Sequence, residues 1–192
     1  MLEKIYLNIE ESISIKRKVL ESIEIKKSLS FFLESLVSCY SRGNKVYFVG
    51  HGGSFSDAQH LAAELSGRFY LDRDPLECIL LGSNLSYLTA VSNDYSYEEI
   101  FSRELRSSGK RGDVMISLTT SGNSKNIINA LGVARELGIT TISFSGKGGG
   151  IISKLSDSCI TIPSEDTARI QECHMLIGHS ILELLENKLY KK

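Results

Sequence analysis

The stretch KVYFVGHGGSFSDAQHLAAELSGRF, residues 45–69, decides the fold of this chain. Its apolar run Val46–Val49 is rich in strand-forming residues and predicts a short buried strand. The glycines that follow allow a sharp turn with exposed backbone N–H groups. A helix is expected from about residue 55 to 66, with Ser54 or Ser56 as its N-terminal cap. The stretch therefore predicts one strand–turn–helix unit of an α/β fold.

The same alternation continues through the rest of the chain. Apolar runs predict four more strands, at residues 76–81, 114–118, 139–144 and 159–162. Helices are expected at residues 85–91, 97–107, 126–137, 151–155 and 167–189, with Asn93 and Asp94 breaking the first of them. Continuous apolar strands separated by helices indicate a parallel sheet covered on both faces. We therefore predict a three-layer αβα sandwich with a five-stranded parallel sheet, whose ligands bind beyond the carboxyl ends of the strands.

The segment before the first strand predicts two helices. Apolar residues recur at helical spacing over residues 1–27 and, more regularly, over residues 29–40, with Gly43 at the expected helix end. These helices either flank the domain or form an oligomer contact, and the second interpretation is favoured. The chain, residues 1–192, is expected to form a single domain with residues 1–43 as N-terminal interface helices.

Composition and charge exclude several classes of protein. Apolar residues make up 42% and charged residues 23% of the chain, and the formal net charge is −1. These values are typical of a globular protein and argue against nucleic acid or a membrane surface as a partner. The four cysteines are scattered, which fits a reducing compartment and argues against a cysteine zinc site. With no apolar run of about 20 residues and no signal-like N-terminus, a cytoplasmic protein is expected.

The motif TTSGNS, Thr119 to Ser124, predicts an anion site between a buried strand and a helix. A helix N-terminus offers unpaired N–H groups, and the four hydroxyls of the motif add further donors. The motif lacks the lysine and the spacing of a nucleoside triphosphate loop, so a phosphate monoester is favoured. The alternative is an N-capping loop with surplus serines. The HGGS turn does not match the dinucleotide fingerprint.

Two helices carry polar residues that could do chemistry. His60 and Glu64 are four residues apart and share a helix face. Gln171 and His179 lie on an otherwise apolar stripe of the last helix, where core packing is the ordinary explanation. Together the four residues offer nitrogen and oxygen ligands for a divalent metal such as zinc. Alternatively, Glu64 and His179 form an acid/base pair, and the two roles are compatible.

At these motifs the chain resembles the sugar isomerase (SIS) domain family, and within it the phosphoheptose isomerase branch. The matching segments are GHGGSFSDAQHLAAELSGRF, SNDYSYEEIFSREL, GDVMISLTTSGNSKNI, SGKGGG and ARIQECHMLIGH, which span most of residues 45–185. The resemblance implies a flavodoxin-like SIS fold and conversion of D-sedoheptulose 7-phosphate into D-glycero-D-manno-heptose 7-phosphate through a cis-enediol. It also implies the first step of bacterial ADP/GDP-heptose biosynthesis, which serves lipopolysaccharide or capsule.

The resemblance also implies roles for individual residues. Glu64 and His179 would be the catalytic acid/base pair. One zinc ion per subunit would be held by His60, Glu64, Gln171 and His179. Substrate would contact His51, Gly52, Gly53, Ser54, Glu64, Arg68, Asn93, Asp94, Thr119, Thr120, Ser121, Ser124 and Gln171. Family members are homotetramers with sites built from more than one subunit, which agrees with the interface role expected for the N-terminal helices.

The chain departs from the family pattern at two positions. His51 stands where asparagine is common, and Ala168 stands where many relatives carry an aspartate. The first departure keeps open an isomerase that acts on another ketose phosphate. A further alternative is a non-catalytic SIS protein that binds a sugar phosphate or a replication-initiation partner. The presence of both Glu64 and His179 favours the enzyme.

Overall fold

The computed structural model describes residues 2–191 and shows a five-stranded, wholly parallel sheet. The strands are β1 (Val46–Gly50), β2 (Cys78–Leu80), β3 (Val114–Leu118), β4 (Thr140–Ser145) and β5 (Ser158–Thr161). Their order in the sheet is β2-β1-β3-β4-β5, with parallel pairing at each step. The predicted fold class is confirmed.

Helices cover both faces of the sheet. They are α1 (Glu3–Glu21), α2 (Ile23–Ser41), α3 (Gly53–Ser66), α4 (Leu85–Asp94), α5 (Ile100–Ser108), α6 (Lys125–Leu137), α7 (Ile152–Leu155) and α8 (Thr167–Tyr190). Short 3₁₀ turns occupy Tyr97–Glu99 and Lys147–Gly149. Within residues 2–191, no helix combines the length and apolar character needed to cross a membrane.

Alternating side chains of each strand feed two separate cores. In β1, Val46 and Phe48 join a core with α1, α2, α3 and α8. Tyr47 and Val49 join the opposite core, which contains α4, α5, α6 and α7. Because neighbouring strand residues point to opposite faces, one continuous apolar run supplies both cores. This explains why the strands read as unbroken apolar runs.

The structure corrects two helix boundaries predicted from the sequence. The first helix ends at Glu21 rather than near residue 27, because Ser22 is extended (ψ 120°) and its hydroxyl accepts the backbone N–H of Ile25. Ser22 is therefore the N-cap that starts α2. Asn93 and Asp94 do not break α4, which continues through both and has Tyr95 as its C-cap. Their side chains bond each other on the exposed helix end, so neither competes with the helical backbone.

Helices α3 and α8 lie side by side and run in the same direction. Three contacts follow each other along both helices: Ser54 with Gln171, His60 with His179, and the segment after α3 with Glu186. Gly178 permits the close approach, since a Cβ atom there would lie 2.7 Å from Leu61 Cδ1. This packing places side chains from two distant parts of the sequence in one place.

Candidate functional site

The carboxyl edge of the sheet brings two predicted loops together. β1 and β3 are neighbours, and Gly50 at the end of β1 pairs with Leu118 at the end of β3. The turn at His51 and Gly52 therefore lies beside Thr119–Ser124, which we call the hydroxyl loop. Ligands of parallel α/β sheets bind at this edge.

The hydroxyl loop is shaped around its own backbone. Thr119 is buried, and its hydroxyl accepts the backbone N–H of Gly122 over 3.2 Å. Gly122 has a φ of 68°, a conformation that glycine adopts without strain. Ser124 stands at the N-cap of α6 without a side-chain capping bond. Asn126 Oδ1 accepts the N–H of Ile127 over 3.0 Å, so an anion at this helix N-terminus would use the N–H groups that precede it in the first turn.

A second glycine-rich segment, residues 146–150, and the start of α7 that follows it hold the hydroxyl loop through backbone hydrogen bonds. The N–H of Gly146 donates to the Thr120 carbonyl over 3.2 Å, and the N–H of Ile152 donates to the Gly122 carbonyl over 3.1 Å. A Cβ atom on Gly122 would overlap the carbonyl oxygen of Gly149. The SGKGGG motif therefore holds the shape of the neighbouring loop.

The N-terminus of α3 differs from the capping arrangement that the sequence predicted. Neither Ser54 nor Ser56 caps the helix, which starts after Gly52 with φ 52° and without a side-chain cap. Ser54 lies inside the first turn, is buried, and accepts the amide N–H of Gln171 over 3.2 Å. Gly53 lets Gln171 approach, because a Cβ atom there would lie 2.7 Å from its amide nitrogen. The predicted substrate residues of this turn thus meet Gln171.

His51 lies between two small cavities at this edge. One, of about 300 Å³, is lined by His51, Tyr97, Glu98, Ser124, Lys125 and Asn126. The other, of about 230 Å³, includes His51, Tyr97 and Phe101, whose ring centroid is 5.2 Å from that of His51. Burial lowers the pKa of His51, and a hydrogen bond with Asn126 opposes this shift only in part. His51 therefore faces the hydroxyl loop as a neutral imidazole near pH 7.

His60, Glu64 and His179 converge between α3 and α8, and we call them the His–Glu–His cluster. The Nε2 atom of His60 lies 3.2 Å from Glu64 Oε1 and 3.2 Å from His179 Nε2. All three ligand atoms lie within 4.8 Å of one another. If His60 Nε2 carries a proton, it can donate to Glu64 Oε1 or to His179 Nε2, but not to both. A cation can instead bind the lone pairs of all three ligand atoms at once.

The spacing of the His–Glu–His cluster fits a small divalent metal. A tetrahedral ion about 2.0–2.1 Å from its ligand atoms holds them about 3.3–3.4 Å apart. The two distances from His60 Nε2 are 3.2 Å each. Two imidazoles and a carboxylate are also a donor set that zinc and similar ions accept. The cluster could therefore hold a metal ion through these three side chains.

Other predicted site residues do not meet the cluster within one chain. Gln171 precedes His179 by eight residues, about 12 Å along α8, and its amide is engaged by Ser54. Asn93 and Asp94 are exposed at the end of α4. Arg68 is exposed just after the end of α3. Within one chain, the predicted residues thus fall into two groups. One lies at the carboxyl edge of the sheet, and the other is the His–Glu–His cluster.

Sequence reasoning missed several residues around both groups. Tyr97 and Asn126 line the cavity beside His51. The ring of Phe69 stacks on the imidazole of His179, with centroids 5.6 Å apart and planes at 17°. All three lie inside the segments quoted for the family resemblance, so their place in those motifs was the signal. Glu186 carries another signal, a charge that follows Leu182 by four residues on an apolar helix face.

Comparison with known proteins identifies the family. Residues 10–146 match the SIS domain family. The phosphoheptose isomerase of Aneurinibacillus thermoaerophilus is 42% identical, over 100% of this chain and 96% of its own length. That of Clostridium acetobutylicum is 44% identical, over 95% of this chain and 93% of its own length. The chain belongs to the phosphoheptose isomerase family of SIS-domain proteins.

Solved structures of phosphoheptose isomerases share this fold. The structure from Francisella tularensis matches with a TM-score of 0.91 and 32% identity, over 97% of this chain and 98% of that one. The match extends beyond the residues of the SIS domain hit and includes most of the chain. The family resemblance predicted from the sequence is confirmed.

Proposed function

We propose that this chain is an aldose–ketose isomerase that converts D-sedoheptulose 7-phosphate into D-glycero-D-manno-heptose 7-phosphate. Membership of the phosphoheptose isomerase family supports the enzyme class and the substrate. The observation that carries the mechanism is the convergence of Glu64 and His179 with His60. In the cell the reaction would open heptose biosynthesis in the cytoplasm, for lipopolysaccharide, capsule or another glycoconjugate.

The hydroxyl loop binds the phosphate of the substrate in this proposal. Its hydroxyls and the first-turn N–H groups of α6 donate to the phosphate oxygens, and the positive end of the helix dipole favours the negative charge. Ser54, with Gln171 bonded to it, contributes hydrogen-bonding groups at the neighbouring helix start. Binding energy from the phosphate end orients the reacting carbons at the far end.

Proton transfer is assigned to Glu64 and His179. The Glu64 carboxylate takes a proton from C1 of the ketose, while the His179 imidazole gives a proton to the carbonyl oxygen on C2. The resulting cis-enediol then accepts at C2 the proton held by Glu64 and loses its O1 proton to His179, which restores both groups. Contact with His60 keeps the Glu64 carboxylate near the His179 ring. One acid/base group from each of two packed helices can thus serve neighbouring atoms.

Zinc is the metal we propose for the His–Glu–His cluster. Gln171, the fourth predicted ligand, lies about 12 Å from His179 along α8 of the same chain, so it would have to come from a neighbouring subunit. When bound, such an ion polarises a carbonyl or hydroxyl oxygen and favours loss of the neighbouring proton. His60 serves the ion alone, whereas Glu64 and His179 also face the reacting carbons. Removing the metal with a chelator is expected to lower the melting temperature, and adding back zinc at about 100 times its Kd restores about 2.7 kcal/mol.

We further propose that each site combines residues of two subunits of a homotetramer. Glu64 follows Gly53 by eleven residues of α3, which is about 16 Å along the helix. The substrate has eight bonds between C1 and phosphorus and spans about 10 Å at about 1.2 Å a bond. A substrate whose phosphate lies at the hydroxyl loop is therefore too short to reach Glu64 of the same chain. This favours an acid/base pair that a neighbouring subunit supplies.

The N-terminal helices offer the surface that such an assembly needs. A groove of about 430 Å³ between α1, α2 and α8 is lined mainly by apolar side chains, including Val19, Leu29 and Leu33. Leu20 and Ile23 are 71% and 63% exposed beside it. Large exposed apolar side chains in one place are typical of protein–protein contacts. This supports the interface role predicted for residues 1–43.

The first test is product analysis with sedoheptulose 7-phosphate, with and without added zinc. We expect aldoheptose 7-phosphate from the wild type, and at least a ~1,000-fold loss for Glu64→Gln and for His179→Gln with an intact tetramer. Glu136→Gln, at an exposed ion pair with Arg106, is the matched control and keeps its rate. A near wild-type rate in either site variant would remove that residue from the mechanism. Failure of the wild type to form aldose under any metal condition would support a binding protein instead.

Sharing of sites between subunits is tested by mixing two inactive variants. One chain carries Glu64→Gln, and the other carries Ser121→Ala with Ser124→Ala. If the hydroxyl loop of one subunit works with the Glu64 of another, hybrid tetramers contain intact sites and regain activity. If each site lies within one chain, every site stays defective and the mixture remains inactive.

A further inference from the structure

The segment after α3 contains a buried ion pair that the mechanism above does not use. Arg73 Nε donates to Glu186 Oε1 over 2.7 Å, and both side chains are only 1% exposed. The Glu186 carboxylate also accepts backbone N–H groups from Phe69, Tyr70 and Leu71, at 3.1, 3.0 and 3.1 Å. A buried charge with this many partners is satisfied and rigid.

The other nitrogens of Arg73 hold the end of α3. Its Nη2 donates to the carbonyl of Glu64 over 2.8 Å, and its Nη1 donates to the carbonyl of Leu65 over 3.0 Å. These carbonyls belong to the last turn of the helix, where backbone acceptors have no helical partner. A guanidinium at a helix C-terminus supplies the missing donors and a favourable charge. Arg73 thus fixes the backbone of the residue that carries the proposed base.

Glu186 acts in the same way on the other helix. It follows His179 by seven residues, two helical turns, and so lies on the same face of α8. By holding the N–H of Phe69, it keeps the Phe69 ring stacked on the His179 imidazole at 5.6 Å and 17°. A parallel aromatic neighbour restricts the rotation of that imidazole. One carboxylate therefore fixes the backbone of the residue that stacks on the proposed acid.

We propose that Phe69, Arg73 and Glu186 are positioning residues that set the relative orientation of Glu64 and His179. This inference rests on the proposed function of that pair. Arg73 holds the helical turn that carries Glu64, and Phe69 fixes the plane of the His179 ring. Glu186 links Arg73 to Phe69, because it bonds the side chain of the first and the backbone N–H of the second. The side chains themselves do not touch the reacting atoms. Their loss should lower kcat and metal affinity while KM for the sugar phosphate stays the same.

Phe69→Leu is the first test, because leucine keeps an apolar side chain and removes the parallel ring. Loss of support around a metal ligand typically costs about 10- to 100-fold, so we expect at least a ~10-fold fall in kcat and in zinc affinity. KM should stay within about twofold, and Phe69→Tyr should restore the wild-type values. Zinc affinity is measured by competition with a chromogenic chelator. Phe31→Leu, the same change at a partly exposed site on α2, is the control.

Arg73→Lys is the second test, since it keeps the charge beside Glu186 and loses the fork that reaches Glu64 and Leu65. We expect the same fall in kcat and zinc affinity at unchanged KM, with Arg106→Lys at an exposed ion pair as control. Urea unfolding checks that each variant is folded at the assay temperature. The inference fails if both variants keep kcat and zinc affinity within about twofold of wild type, or if KM rises instead. A wild type without isomerase activity would overturn the proposed function, and zinc affinity would still decide the positioning.

Discussion

The hydroxyl loop and the His–Glu–His cluster are built in opposite ways. The loop is formed by six consecutive residues whose backbone follows the end of β3 and the start of α6. The cluster joins His179 to residues more than 100 positions earlier in the sequence, and depends on how closely α3 and α8 pack. A local change of backbone can therefore damage the hydroxyl loop, whereas a shift between helices can damage the His–Glu–His cluster.

Among the glycine changes that separate the two regions, the largest effect is expected from Gly122→Ala, which breaks the hydroxyl loop alone. Alanine at φ 68° is strained, and its Cβ would overlap the carbonyl oxygen of Gly149. We expect about a 100-fold loss of kcat/KM through weaker phosphate binding, because a displacement of about 1 Å can cost that much. Zinc affinity should remain at the wild-type value. The measurements are steady-state kinetics and inhibition by inorganic phosphate.

Gly43→Ala is the matched control for this change. Gly43 has the same φ of 68°, and a Cβ atom there meets nothing within 4 Å. It therefore introduces the backbone strain without the overlap, and should leave kinetics unchanged. If Gly122→Ala lowered zinc affinity as much as phosphate affinity, the loop and the cluster would not be independent regions.

Gly178→Ala is expected to have the complementary, smaller effect. Its Cβ would lie 2.7 Å from Leu61 Cδ1, so α8 must shift away from α3 unless Leu61 moves. Overpacking of this kind costs about 1–3 kcal/mol. We expect about a tenfold fall in zinc affinity and kcat, with inhibition by phosphate unchanged. Gly132→Ala, in α6 with open space around the added carbon, is the control and should not weaken zinc binding.

His174 joins α8 to the end of β4, and its burial sets how the stability of the fold depends on pH. It is fully buried on α8, and its Nε2–H donates to the carbonyl of Ser145 at the end of β4. Burial lowers the pKa of His174 from 6.5 to about 4. Between these values the unfolded chain binds the proton and the folded chain does not, so stability falls as pH falls from 6.5 to about 4.

The size of that effect follows from the shift. A change of 6.5 to about 4 corresponds to about 3 kcal/mol at low pH. Urea unfolding of wild type and His174→Gln across this range, both in chelator, should show a steeper fall of stability in the wild type. Carboxylates with a lowered pKa, such as Glu186, add the same slope to both proteins. His174→Gln also loses some stability at every pH, but a constant loss does not change the slope. Equal slopes in the two proteins would show that folding does not lower the pKa of His174.

The local half of the site could be predicted from the sequence. The run at residues 114–118 matched β3 at both ends, and TTSGNS followed it directly into a helix. Such loops are encoded by neighbouring residues, so pattern and turn chemistry are sufficient. The prediction that Ser54 or Ser56 caps α3 was wrong, because the helix already begins at Gly53 and both serines lie inside it. The positive φ of Gly52 lets the chain enter the helix earlier than the serines suggested.

For the packed half of the site, the residues alone offered a ligand set beside the ordinary explanation of core packing, and family resemblance was needed to choose between them. Spacing placed His60 beside Glu64 on one helix face, but gave no reason for His179 to reach them. That contact depends on Gly178, whose missing side chain allows α8 to approach Leu61. Arg73 and Glu186 were missed for the same reason, since each is an ordinary charged residue until the partner is known. Long-range packing decides these positions.

A change of selectivity rather than of rate or metal affinity is expected at His51, where the two cavities of the carboxyl edge meet. Asparagine is smaller than histidine and leaves more room beside Phe101 and Tyr97. Since filling or emptying a small volume changes selectivity by about 10-fold or somewhat more, His51→Asn should shift the ratio of kcat/KM between heptulose and hexulose phosphates by about that factor. Inhibition by inorganic phosphate should not change, because the hydroxyl loop keeps its shape. A variant with altered phosphate affinity and an unchanged ratio would place His51 in the phosphate site rather than beside the sugar.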